Sequence, residues 1–369
     1  MNQSRFSSAI PCQIKFSFDS TFLFGYTVIS DQVPDTYEDW NRGRTCGPSF
    51  NYILEISMIK PYLNYSDQIN LLSQSKELLI SDTYYAMQML TDIGYFSLIG
   101  GYKAPFINPM TRKYEVSTTF EDIVALYQFD QSLRSITFNY LNIVEQKIGQ
   151  LIADAFCSHF GEQQSAYLDP NNYSSRASNF KIISGLINIL NRVANQSTDH
   201  KYIVHQRNVH QNVPLWVLRK ALTFGQLSKM YSVLQIQQQR AIAEVYGHFT
   251  EKQLAGALSC LTYFRNVCAH NERLYCFRIL QHDFPDTKLH DKLNVPKKGH
   301  HYTLGKNDYF GVVIMLRYLL RGDDFRTYKR KLKSIITKYL NSSTRLSESE
   351  LLGYMGFPSN WEEISKFRL

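Results

Sequence analysis

The chain has 369 residues, a formal net charge of +8 and a hydrophobic content of 44%. That is enough for one large core or two smaller ones, and Gly and Pro are not enriched as they are in disordered chains. The positive balance favours a polyanionic partner, and the 25 Tyr and 23 Phe can either fill a core or stack on unpaired bases.

The six cysteines are Cys12, Cys46, Cys157, Cys260, Cys268 and Cys276. None forms a C-x-x-C pair, which leaves zinc-ribbon and thioredoxin-like readings unsupported. Cys260, Cys268 and Cys276 recur every eight residues, so on a helix each is turned by about 80° from the last. They share no face and are expected to be buried free thiols of a reducing compartment. The N-terminus lacks a secretory signal. The most apolar run, YFGVVIMLRYLL, is short and carries Arg317, so it does not read as a membrane span. A cytoplasmic protein without a membrane partner is expected.

In chain order, residues 1–57 differ from the rest. The stretch 16–30 alternates like a strand and 31–49 reads as loop. This part is expected to be an extension outside a helical domain spanning 58–369. From Met58 the periodicity becomes helical. Ser66 is a candidate N-cap before Ile69 and Leu72, and Ser81-Asp82 open a helix that ends near Gly94. The run LIGGYKAPFINPMTRK is a Gly/Pro-broken loop. Thr118-Thr119, with Glu121 at capping-box spacing from Thr118, begin the strongest helix, which runs to about His159 without a proline. At ~1.5 Å per residue it is about 60 Å long, the length of a bundle spine. Further helices are predicted over 178–195, 213–223, 226–246, 250–280, 307–321 and 324–341. The stretch 282–306 is a polar loop interrupted by Pro285 and Pro296. No G-x-G-x-x-G, Walker A or H-E-x-x-H motif occurs, so nucleotide-driven and zinc-protease chemistries lack a motif.

The segment RNVCAHNERLY (265–275) carries the most chemistry. Asn266 and His270 are four apart and share a helix face. Arg265 lies about 140° round from His270 on an ideal helix, so only its long side chain or a bent helix end can aim both at one phosphate. Cleavage of RNA by its own 2′-hydroxyl needs a proton carrier and a cation beside the phosphorane. His270 can carry the proton, Arg265 matches phosphate oxygens with a planar fork, and Asn266 can orient the imidazole or donate to the phosphate. The set needs no metal and no cofactor.

A second cationic feature is amphipathic. Arg326, Lys329, Arg330 and Lys333 form one stripe of the 324–341 helix and Leu332, Ile335, Ile336 and Tyr339 the other. With Lys297 and Lys298 they are the candidate surface for an RNA backbone. His300-His301 has no Cys or carboxylate at ligand spacing.

Several segments in order, KPYLNYSDQINLL (60–72), YFSLIGGYKAPF (95–106), FEDIVALYQFDQSLRS (120–135) followed by Glu145, PLWVLRKALTFGQLSKMY (214–231), FRNVCAHNERLY (264–275) and MGFPSNW (355–361), make the chain similar to a known family. It resembles the AbiD/AbiF group of abortive-infection proteins within the HEPN superfamily. The resemblance implies an all-α fold on a HEPN four-helix core and an endoribonuclease acting through R-[polar]-x3-H, here Arg265, Asn266 and His270. It further implies a toxin restrained by a small structured antitoxin RNA, and a site formed where two copies meet in a homodimer. Within the PLWVLRKALTFGQLSKMY segment, TFGQLSKMY (223–231) is either a turn beside the site or a Gly-broken helix junction. Arg134 and Glu145 either pair with the motif or serve as a solvated or buried ion-paired face. The alternatives to the nuclease are a non-catalytic RNA-binding protein and a protein–protein adaptor.

Overall fold

The computed structural model describes residues 62–343 and 345–367. The strand and loop expected within residues 1–57, and the separateness of that extension, lie outside the described residues. Among the described residues the chain is all-α apart from one small hairpin and two isolated bridges. The helices are α1 (Tyr65–Asn70), α2 (Thr83–Ile93), α3 (Phe120–Phe160), α4 (Gln164–Leu168), α5 (Phe180–Gln196), α6 (Lys201–His210), α7 (Leu215–Leu218), α8 (Phe224–Val233), α9 (Ile236–Glu244) and α10 (Glu251–Ala269). After α11 (Lys288–Lys292) and the hairpin strands β1 (Lys297–Lys298) and β2 (His301–Tyr302) come α12 (Tyr309–Leu319), α13 (Gly322–Ser342) and α14 (Glu348–Met355).

The spine is α3, 41 residues long. Helices α7, α8, α9, α10, α12 and α13 all pack on it. Phe129 meets Tyr339 and Tyr140 meets Tyr328, so α13 runs antiparallel to the spine. The apolar run 309–320 is the buried α12, exposing little beyond Arg317. The Tyr309 hydroxyl bridges Thr137 at 2.6 Å and Tyr328 at 2.8 Å, tying α12 to α3 and α13. Cys260 and Cys268 are buried free thiols, each pushed up to about 12 by burial; Cys276 is free and half-buried, beyond the end of α10.

Several boundaries differ from the sequence expectation, each for a local reason. Asn64, not Ser66, caps α1: its Oδ1 accepts the Asp67 N–H at 2.9 Å. The capping box of α3 is Thr119 with Asp122 rather than Thr118 with Glu121. The Thr118 carbonyl instead accepts the Leu79 N–H at 3.0 Å, which holds Thr118 outside the helix. The 98–113 loop contains a π turn (Phe96–Gly100) at its start and a 3₁₀ turn (Ala104–Phe106). Only Leu215–Leu218 of the 213–223 helix is α, followed by a 3₁₀ turn at Arg219–Ala221.

The predicted helix 226–246 is two helices, because Leu234 and Gln235 are extended. Gln239 Nε2 donates to the carbonyls of Tyr231, Ser232 and Leu234 at 3.0–3.1 Å, so a side chain satisfies acceptors that a continuous helix would have used. The predicted helix 250–280 stops at Ala269, for reasons that belong to the site. Helix α6 was not expected: only its Ile203 is buried, so it has no apolar stripe to see. The 282–306 stretch folds into α11 and the hairpin; Gly299, at φ +63, makes the turn.

Candidate active site

On the spine, Asp130, Arg134, Phe138, Glu145 and Gly149 fall within a stripe about 100° wide at 3.6 residues per turn. The chain following α10 docks on this stripe. Asp130 is fully buried. Its carboxylate accepts N–H bonds from Leu274 (3.0 and 3.2 Å) and Tyr275 (2.7 Å) and an O–H bond from Tyr102 (2.7 Å). Arg134 Nη1 donates to the same carboxylate at 2.7 Å, to Tyr102 at 2.9 Å and to the Glu272 carbonyl at 3.3 Å. Burial raises the Asp130 pKa, opposed by Arg134, Tyr102 and the two amides. Arg273 Nη1 donates to the Gly101 carbonyl at 2.9 Å, and Tyr275 stacks on Tyr102.

These contacts explain why α10 ends where it does. The Leu274 and Tyr275 amides are taken by Asp130, so they cannot continue the helix. The end is closed by Asn271 in the left-handed region at φ +57 and by the Glu272 N–H donating to the Val267 carbonyl at 3.0 Å. His270 is the C-cap, and its N–H donates to the Asn266 carbonyl at 2.9 Å. Its imidazole is exposed, and among the described residues no hydrogen bond or ion pair involves it.

Arg265 sits one turn back and faces the spine. Its Nε lies 3.5 Å from Glu145 Oε2, and its guanidinium carbon lies 5.4 Å from the centre of the Phe138 ring. Burial pushes the Glu145 carboxyl up, while Arg265 and the backbone N–H of Phe224 pull it back. Phe224 opens α8, whose capping box is Thr223 with Gln226. Thus TFGQLSKMY is a helix N-terminus whose first amide faces the Arg265 partner. A Cβ on Gly225 would lie 3.2 Å from Thr262 Cγ2, so this glycine permits the close approach of α8 to α10.

The structure therefore places Arg265, Asn266 and His270 within the last two turns and C-cap of one helix, and no contact joins the guanidinium and the imidazole among the described residues. The Arg134 and Glu145 alternatives resolve: Arg134 is a buried ion pair that also holds Glu272, and Glu145 pairs with Arg265. Asp130 and Tyr102 were not singled out from the sequence. The available signal was an Asp and an Arg at i and i+4, interleaved with the apolar positions Leu126 and Leu133.

The second cationic set is farther from chemistry. Arg326 pairs with Asp323. Lys329 donates to the Glu362 carbonyl and Lys333 pairs with the Glu362 carboxylate at 2.8 Å. Arg330 is exposed on the same face, in an open groove with Lys333, Ser334, Thr337, Lys338 and Asn341. On the hairpin, Lys297 pairs with Asp291 at 3.1 Å and lies over the Tyr302 ring, and Lys298 is exposed. Among the described residues no group of three or more His, Cys, Asp or Glu is placed to hold a metal, and no helix is long and apolar enough to cross a membrane.

A family model described as Abi-like protein matches residues 88–276. The match runs from α2 through the Asp130-anchored segment after α10, and leaves α13 and the hairpin outside it. No curated protein and no solved structure matches the chain.

Proposed function

The chain belongs to the Abi-like protein family, and on that premise we propose that it is a HEPN-type endoribonuclease of the AbiD/AbiF kind, acting in abortive-infection defence against phage. The observation that carries this reading is the end of α10: a rigid, Asp130-anchored helix terminus that offers an exposed His270 imidazole one turn from a positioned Arg265.

In the proposed reaction the RNA 2′-oxygen attacks the adjacent phosphorus and the bond to the 5′-oxygen breaks. A base takes the 2′-hydroxyl proton and an acid protonates the leaving 5′-oxygen. His270 supplies one of these proton transfers. Arg265 stabilises the phosphorane charge, and Asn266 orients or donates to it. The products are a 2′,3′-cyclic phosphate and a 5′-hydroxyl. The chain has one such motif, so the active unit is a homodimer in which a second copy completes the site. A small structured antitoxin RNA restrains it, held through Arg326, Lys329, Arg330, Lys333, Lys297 and Lys298, with Arg330 and Lys298 the cations of this set not already paired among the described residues. The protein acts in the cytoplasm.

One observation favours a second reading, a non-catalytic RNA-binding defence protein: the Arg265 guanidinium is already engaged by Glu145 and Phe138. Incubating the purified protein with single-stranded RNA in EDTA separates the two. The nuclease reading expects cleavage with 2′,3′-cyclic or 3′-phosphate ends, lost in His270→Ala. Wild-type cleavage by a folded His270→Ala protein would overturn it.

A further inference from the structure

Arg219 occupies the same face of the spine as the Arg265 pair, one turn further along. Its side chain crosses Gly149, four residues after Glu145: a Cβ on Gly149 would lie 3.6 Å from both Cδ and Nη1 of Arg219. Those are ordinary van der Waals distances; the tight approach at this glycine is to Leu227 Cδ1, 3.2 Å from such a Cβ, so the missing side chain lets α8 pack closely on α3 beside Arg219. Nη2 donates to the Gln150 side-chain oxygen at 2.8 Å. Nε is buried with no hydrogen-bond partner among the described residues, a property it shares with the Nε atoms of Arg134, Arg265 and Arg317. Among the described residues no carboxylate pairs with the group, and burial lowers its pKa.

The Arg219 guanidinium is only partly withdrawn from water, and its Nε is the buried part. A guanidinium drawn out of water is ordinarily compensated by a carboxylate or by several carbonyls. Arg134 follows that rule, with Asp130, and Arg265 follows it, with Glu145. Arg219 has one neutral amide. Its side chain lies against Gly149 and is tied to Gln150, and among the described residues no carboxylate compensates its charge.

We propose that Arg219 is a phosphate-binding residue that receives an RNA backbone phosphate neighbouring the one at Arg265, so that the strand runs along the spine past α10 toward the start of α8. The chemistry fits: a planar fork with donors left over beyond the Gln150 bond, a positive charge with no carboxylate partner among the described residues, and a position one helical turn from the candidate catalytic arginine's carboxylate. This rests on the proposed nuclease reading for the location of the scissile phosphate. Binding of the backbone does not depend on cleavage, so the two can fail separately.

The test uses the full-length protein and a short single-stranded RNA with 2′-O-methyl riboses, which binds but cannot be cleaved. Affinity is measured across a salt series for wild type, Arg219→Gln, Arg219→Lys and Gln150→Ala. Folding of each is checked by its thermal transition. Arg219→Gln should bind about tenfold more weakly at low salt and lose about one unit of salt slope, the signature of one phosphate contact. Arg219→Lys should keep the slope and lose part of the affinity, because the charge stays while the fork goes. Gln150→Ala removes only the internal tie and should bind like wild type. If Gln150→Ala weakens binding as much as Arg219→Gln, Arg219 is a structural strut and the proposal falls. It falls also if a folded Arg219→Gln binds with unchanged slope. Wild-type protein that binds no RNA overturns both this subsite and the nuclease reading. Wild-type protein that binds RNA through Arg219 but does not cleave an unmodified strand overturns the nuclease reading alone.

Discussion

Glu145 on the spine and Arg265 at the end of α10 form an ion pair at 3.5 Å, with 14% and 24% of their side chains exposed. The distance is that of an ion pair rather than a short hydrogen bond, so the guanidinium is steered without being locked. This sets how Arg265 variants should be interpreted.

Arg265→Ala should lower stability, because it leaves the Glu145 carboxylate buried and unpaired. Complete burial would cost 3–5 kcal/mol; with this exposure about 1–2 kcal/mol is expected. Glu145→Gln in the same chain should relieve that loss. A double-mutant cycle by urea denaturation checks it, and additive effects would show that the pair is not energetically coupled.

His270→Ala should behave in the opposite way. The imidazole is exposed and unpartnered among the described residues, so stability should change by no more than about 0.5 kcal/mol. Cleavage should fall by about 10²–10⁴-fold, the usual contribution of acid–base help. Thermal melts and initial rates measure the two effects. A large stability loss would mean that His270 has a structural role this geometry does not contain.

Asp130 supports the segment that carries the site. Asp130→Ala removes the acceptor for the Leu274 and Tyr275 amides and leaves Arg134 buried without its partner. A loss of about 3–5 kcal/mol is expected. Amide hydrogen exchange at 274 and 275 should accelerate more in Asp130→Asn than exchange in the middle of α3, since the amide side chain keeps one acceptor oxygen and loses the charge. Unchanged protection at both positions would contradict the anchoring role.

Asp308 gives the pH dependence a definite direction. It caps α12, is buried, accepts the Gly305 and Gly311 N–H groups, and is raised by burial from 3.8 to about 6. Between those values the folded chain holds a proton that the unfolded chain has released. Its contribution to stability is therefore fully present below the ordinary carboxylate range and is lost as pH rises through about 6. The loss is roughly 3 kcal/mol, from about 1.4 kcal/mol per pKa unit. Urea midpoints of wild type and Asp308→Asn should diverge across this window, with the variant the flatter. Parallel pH profiles would contradict it.

The sequence by itself determined the all-α class and the spine, and it set the candidate residues Arg265, Asn266 and His270 close together. Those properties are local or periodic. Ile123, Leu126, Leu133, Tyr140, Val144, Ile148 and Ile152 repeat at helical spacing whatever they pack against, and all are buried. Arg265, Asn266 and His270 fall within six consecutive positions, so their proximity needs no tertiary information. What only the tertiary structure decided is who partners whom across long separations. The stop at Ala269 depends on an acceptor at Asp130, more than a hundred residues earlier, that takes the amides a longer helix would have used. The break at Leu234 depends on Gln239 folding back on the carbonyls it frees. The α13 stripe is visible as a row of cations, but Asp323 and Glu362 decide that Arg330 is left less compensated than its neighbours. Helical periodicity follows from 3.6 residues per turn and can be read along a chain. The pairing of a buried charge is set by which side chains the fold brings within a few ångströms, and spacing in sequence carries no record of that distance.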